Sequence, residues 1–216
     1  MYILLFLFYL FALAYAKKYD RITLFGKNVR DNNHVILILY AAGICLLGVL
    51  PILFSTYKPG EIFRGNTIPS NIQVFASLIL CLIAVHIAII EARKKILLSH
   101  LTHPPFSISF MTGFLLLRTI FLFSYELYFR GYLLRDTMEW LPATHAIFLN
   151  IVLYTLIHFF SDRKELISCT PFGLIMCLLC LWTGAAWPAI LIHTSLGITH
   201  EGVLLYYNSK QLKPIT

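Results

Sequence analysis

The stretch Phe114-Leu115-Leu116-Leu117-Arg118-Thr119-Ile120-Phe121-Leu122-Phe123-Ser124-Tyr125-Glu126-Leu127-Tyr128-Phe129-Arg130-Gly131 decides the fold. Wound as a helix it is apolar on every side, which suits a segment surrounded by lipid or core and not an amphipathic helix on a soluble protein. It continues an apolar run over 106–128, and a bilayer crossing needs about 20 such residues.

The rest of the chain repeats this composition. Of its 216 residues, 59% are hydrophobic and only 12% are charged. The mean hydropathy is +0.78. A soluble globule of this length has too little interior for that much apolar surface. Further apolar runs at 1–16, 34–57, 72–90, 143–160, 167–183 and 187–207 make seven in all. The expected fold is an all-α, polytopic membrane helical bundle of about seven transmembrane helices. The 1–16 run ends in Ala14-Tyr15-Ala16 like a cleavage site, but it has no basic region after Met1, so it is expected to stay as a helix. Three regions are expected: N-terminal helices without a recognisable motif over 1–105, a motif-bearing core over 106–207, and a short polar tail over 208–216. The longest polar connection is 17–33.

A net charge of +7 is therefore no nucleic-acid footprint. Lys and Arg collect in cytoplasmic loops of membrane proteins. With the N-terminus outside, the inner connections hold twelve Lys and Arg residues and the outer ones four, which favours N-out and C-in. The five cysteines all fall in apolar stretches and read as small buried hydrophobes, the Cys177-x-x-Cys180 pair included.

An ionisable residue inside a span costs about 2.5–3.5 kcal/mol on insertion scales for Arg, Lys or Asp, which makes each one a functional candidate. Eight of the ten acidic residues lie in connections; Glu126 and Glu201 fall in or beside apolar helix. Arg130 follows Glu126 at i+4 and shares its helix face, and Arg118 lies two turns earlier on roughly the same face. Asn150, Tyr154 and His158 form a polar stripe at i, i+4, i+8. His193, Gly197, His200 and Glu201 form another on the last span. His86 stands alone and reads as structural. Glu126, His158 and His193 thus offer one carboxylate and two imidazoles from three helices. Together they suit acid–base hydrolysis, with the carboxylate and one His activating water and the other His supporting an oxyanion. The same three would be the ligands if a Zn²⁺ were bound, but no His-Glu-x-x-His signature is present and no cofactor is expected.

Three motifs now stand in order: Tyr125-Glu126-Leu127-Tyr128-Phe129-Arg130, then Tyr154-Thr155-Leu156-Ile157-His158, then His193-Thr194-Ser195-Leu196-Gly197. They resemble the Glu-Glu-x-x-x-Arg, Phe-x-x-x-His and His-x-x-x-Asn motifs of the CPBP, or Abi, family of intramembrane proteases. That group includes CAAX prenyl endopeptidases and bacteriocin-processing or immunity enzymes. Leu181-Trp182-Thr183-Gly184 and Trp187-Pro188-Ala189-Ile190 resemble the family's context, and the resemblance spans about 106–205. It implies an endopeptidase that hydrolyses a peptide or protein substrate at the bilayer. Glu126 and His158 would activate water, His193 would support the oxyanion, and Arg130 would hold Glu126. Tyr125, Tyr154 and Gly197 would complete the site. Tyr125 stands where the pattern has its first Glu, and Gly197 where it has Asn. These two departures give the alternative: a catalytically impaired relative acting as an immunity, chaperone or binding membrane protein. A small transporter is a third reading, which the lack of an inverted repeat disfavours.

The charge bias makes a direct prediction. A reporter fused after Thr216 should be active only when it reads the cytoplasmic side, and one fused before Tyr2 only on the opposite side.

Overall fold

The computed structural model describes residues 1–18, 29–98, 106–160 and 163–211. Among these the secondary structure is helical throughout. The elements are α1 (Tyr2–Lys18), α2 (Val29–Gly43), α3 (Leu50–Phe54), α4 (Pro59–Arg64), α5 (Asn71–Leu98), α6 (Ile108–Glu126), α7 (Leu134–Met138), α8 (Ala143–His158), α9 (Arg163–Thr183) and α10 (Trp187–Gln211). Two wide π-helical turns interrupt longer rods: Ile44–Val49 between α2 and α3, and Leu127–Leu133 between α6 and α7.

The chain is an all-α membrane protein. Four of the described helical stretches are long and apolar enough to cross a bilayer: His34–Phe54, Asn71–Leu97, Ile108–Met138 and Arg163–Thr183. α8 is apolar but shorter. The outward faces confirm lipid as solvent. In α1, Tyr2, Leu5, Phe6, Tyr9, Leu13 and Ala16 turn inward at helical spacing. Leu4, Leu7, Phe8 and Phe11 face outward with half or more of their surface exposed. An apolar outer face with every backbone group bonded within its own helix is what hydrocarbon surroundings require.

Several details differ from the sequence reading. The 34–57 run stops its helix at Phe54, because Ser55 turns extended and Pro59 starts a separate short helix, α4, that the apolar pattern did not reveal. The last span continues to Gln211, beyond the expected 207. His86 is exposed on α5 and packs into no core, so it is not the structural residue expected. Most of the 17–33 connection and the end of the 208–216 tail lie outside the described residues.

The Leu127–Leu133 turn is the centre of the bundle. All seven of its residues are buried. α1 reaches it through Tyr2, whose backbone oxygen accepts from the Tyr128 hydroxyl at 2.6 Å. α4 reaches it through Ile62, which is 0% exposed. Ile62 fits because position 131 is glycine: a Cβ on Gly131 would lie 2.3 Å from Ile62 Cγ2. The Ile62 carbonyl also accepts from the Ala186 N–H at 3.0 Å, tying α4 to the turn before α10. α10 packs chiefly on α5 and α6, and α8 packs on α9. The N-terminal helices and the motif-bearing helices therefore share one core around this turn.

Gly131→Ala should lower stability by about 1–3 kcal/mol through overpacking. Thermal unfolding in detergent measures it. Ile62→Ala in the same chain should make the combined loss smaller than the sum of the two single losses.

Candidate functional site

Glu126 is the last residue of α6, where the helix widens. It is 0% exposed. Both carboxylate oxygens are engaged. Oε2 accepts from Arg130 Nε at 3.2 Å, one helical turn away. Oε1 lies 2.5 Å from His193 Nδ1 on α10. A carboxylate has no proton to give, so Nδ1 carries the hydrogen, and in the neutral ring Nε2 keeps its lone pair. A carboxylate setting an imidazole in this tautomer is a recurring second partner of working histidines.

Arg130 is also fully enclosed. Its Nη1 donates to Asn150 Oδ1 on α8 and lies 3.2 Å from Cys177 Sγ on α9. Its guanidinium sits 4.5 Å above the Tyr154 ring. Asn150 in turn donates to the Phe129 carbonyl at 2.7 Å. A buried ion pair is tolerable only when most of its remaining hydrogen-bonding groups are met; here α8, α9 and α10 supply partners, and Nη2 of Arg130 is left buried without one among the described residues.

His193 is walled by rings. Its imidazole lies 5.7 Å from Tyr125, 6.3 Å from Tyr154 and 5.5 Å from Phe172, centroid to centroid. His158 lies beyond the same two tyrosines, 5.2 Å from the Tyr154 ring and 6.5 Å from Tyr125. Its Nδ1 meets Glu165 Oε1 at 2.8 Å, at the α8–α9 end, rather than Glu126. Its Nε2 is buried without a hydrogen-bond partner among the described residues. Tyr125 and Tyr154 therefore each lie against both histidines.

The structure thus brings Glu126, Arg130, His193, Tyr125 and Tyr154 into direct contact and sets His158 one ring away. Gly197 faces Leu122 of α6 instead. It lets α10 approach α6: a Cβ there would lie 2.7 Å from Leu122 Cδ1. Arg118 does not flank Glu126 as its spacing suggested. It pairs with Glu201 at 3.2 Å and sits over the Tyr40 ring at 4.9 Å. Arg118 and Glu201 are thus a separate intramembrane pair that joins α6 to α10. Asn150 and Cys177 were missed as members of the site. The i, i+4, i+8 stripe contained a signal for Asn150; nothing local marked Cys177. A zinc site does not fit these residues. Both oxygens of Glu126 are committed to Arg130 and His193, His158 is turned to Glu165, and no cluster of three ligating side chains suited to a metal is found among the described residues.

Residues 104–198 match the family model of type II CAAX prenyl endopeptidase Rce1-like proteins. The match covers all three motifs and the buried ion pair that links them. Over this segment the chain is similar to the CAAX prenyl endopeptidases, within the CPBP group. That is a protease family, and the chain itself is an integral membrane protein. Searches of curated proteins and of solved structures find no match. In the family pattern Glu126 and Arg130 are the second Glu and the Arg of the first motif, and they are the ion pair seen here. Tyr125 fills the place of the first Glu with a ring packed against both histidines. Leu122 fills the space an Asn side chain at position 197 would need.

Arg130→Met should leave a buried charge on Glu126 and cost about 3–5 kcal/mol. The loss is read as a lower melting temperature and yield in detergent. Adding Glu126→Gln removes the stranded charge and should restore part of it.

Proposed function

We propose that the chain is an intramembrane endopeptidase of the CAAX type, hydrolysing a peptide bond of a protein substrate at the membrane. The observation that carries this reading is the contact between Glu126 and His193. It calls for roles different from those the motif order implies. Glu126 is completely enclosed and both its oxygens are occupied, so it is a poor partner for water. His193, with Nδ1 tied to Glu126, directs the lone pair of Nε2 away from that bond and is the general base. Arg130 holds Glu126 in place. His158, whose Nε2 has no other partner among the described residues, gives a proton to the leaving amine from its doubly protonated form.

In this mechanism His193 Nε2 takes a proton from water as the water oxygen bonds to the scissile carbonyl carbon. The carbonyl electron pair moves onto its oxygen. Collapse of that intermediate breaks the C–N bond, the amine leaves with a proton from His158, and the proton on His193 returns His158 to its starting state. The substrate class follows the family name, a prenylated C-terminal Cys-aliphatic-aliphatic-X sequence.

A second reading has its own observation. Glu126 is sealed from solvent, and Tyr125 occupies the position of the first Glu of the family pattern. A relative with those features that binds membrane peptides without cutting them would serve as an immunity, chaperone or binding protein.

One experiment separates the two. The purified chain in phospholipid vesicles is given a farnesylated, internally quenched CAAX peptide. Cleavage should occur, His193→Ala should abolish it, and Glu126→Gln should lower kcat by about 10²–10⁴-fold, the span of general acid–base effects. Saturable binding of the peptide by wild type without cleavage would favour the second reading.

A further inference from the structure

We infer that Tyr125 is a catalytic residue, with its phenol O–H as the hydrogen-bond donor to the oxyanion formed at the scissile carbonyl. The inference rests on the hydrolase reading above and assigns a residue that the family pattern does not, since that pattern has a carboxylate at this position.

Tyr125 is 2% exposed, and its hydroxyl is buried with no hydrogen-bond partner among the described residues. Buried phenols normally have a partner, because stripping water from an O–H without replacing it costs free energy. An unpaired buried donor is a feature that packing alone does not favour; phenylalanine would fill the same space. The surroundings say what it would serve. The ring stands edge-on to both His193 and His158, at 76° and 79° between planes. It therefore sits beside both groups that move protons in the proposed mechanism. Phe121 and Phe129 brace its other sides, at 5.7 and 4.7 Å, so the ring is held by packing and not by its hydroxyl. A donor fixed by packing, sharing its site with the base, and shielded from water is what stabilises an oxyanion most effectively.

The assignment also accounts for the two departures from the pattern together. Gly197 removes the amide donor that Asn would supply. Tyr125 supplies a donor where the pattern has a carboxylate. The step balances as a hydrogen bond only. The carbonyl π electrons pass to the oxygen as water adds, Tyr125 donates to that oxygen without losing its proton, and the pair returns when the C–N bond breaks.

The test uses the full chain in phospholipid vesicles with the farnesylated CAAX peptide, and compares wild type, Tyr125→Phe, His193→Ala and a form carrying 3-fluorotyrosine at position 125. Tyr125→Phe should lower kcat by about 10²–10³-fold with KM unchanged, the usual effect of losing one oxyanion donor. Its melting temperature should stay the same or rise, because an unpaired buried hydroxyl has been removed. 3-Fluorotyrosine keeps the ring and strengthens the donor, so kcat should be retained or increased. If wild type cleaves, His193→Ala does not, and Tyr125→Phe matches wild type, Tyr125 has no catalytic role while the hydrolase reading stands. A fall in melting temperature that tracks the loss of activity in Tyr125→Phe, or a lower kcat with 3-fluorotyrosine, likewise overturns the assignment. Absence of cleavage by wild type overturns both.

Discussion

The constraint on which the rest of this structure depends is a single pair of opposite charges with no water around it. Arg130 and Glu126 are both wholly enclosed, in a chain whose outer surface meets lipid. Neither charge is tolerable alone. Arg130 brings in Asn150 from α8 and Cys177 from α9; Glu126 brings in His193 from α10. Three helices are thus tied to the rod that carries the ion pair, because each supplies a group the pair uses. Apolar contact between helices provides little preference for one arrangement in a membrane, where lipid tails are as apolar as the side chains. Polar satisfaction at this centre is the term that selects a particular packing.

Around that centre the aromatic rings and two glycines set distances. Gly131 lets Ile62 of α4 reach the π-helical turn, and Gly197 lets α10 reach Leu122 of α6. Wide helical turns of this kind are common at functional sites, and this one begins immediately after Glu126. Tyr125 and Tyr154 pack against both His193 and His158, so both histidines rest against the same tyrosine pair. In the proposed mechanism Glu126 orients an imidazole and His193 accepts the proton.

The second charged pair shows how far spacing along a helix can mislead. Arg118 and Glu126 are eight residues apart and nearly share a face, so a direct relation looked natural. Glu201 is the nearer carboxylate in space, and only the approach of α10 to α6 brings it there. The same approach explains Gly197, which the motif order presents as a lost donor and the packing presents as a contact surface. Position 125 follows the same logic: as sequence it is a missing carboxylate, and in the fold it is a ring in contact with five aromatic or imidazole neighbours.

The amino-acid sequence by itself determined the solvent, the helical class, the rarity of buried charge and the Glu126–Arg130 pairing. Each depends on composition or on neighbours within one helix, where 3.6 residues per turn fixes who meets whom. The membership of Asn150 and Cys177, the partner of Arg118, the turning of His158 toward Glu165 and the direct bond from Glu126 to His193 were decided only by the tertiary structure. Those contacts join different helices, and their register depends on where small residues allow close approach and where a π-helical turn shifts the faces, quantities that no local spacing contains. The short helix α4 was hidden for a related reason: it is one turn and a half of mixed residues whose single buried side chain, Ile62, has meaning only opposite Gly131.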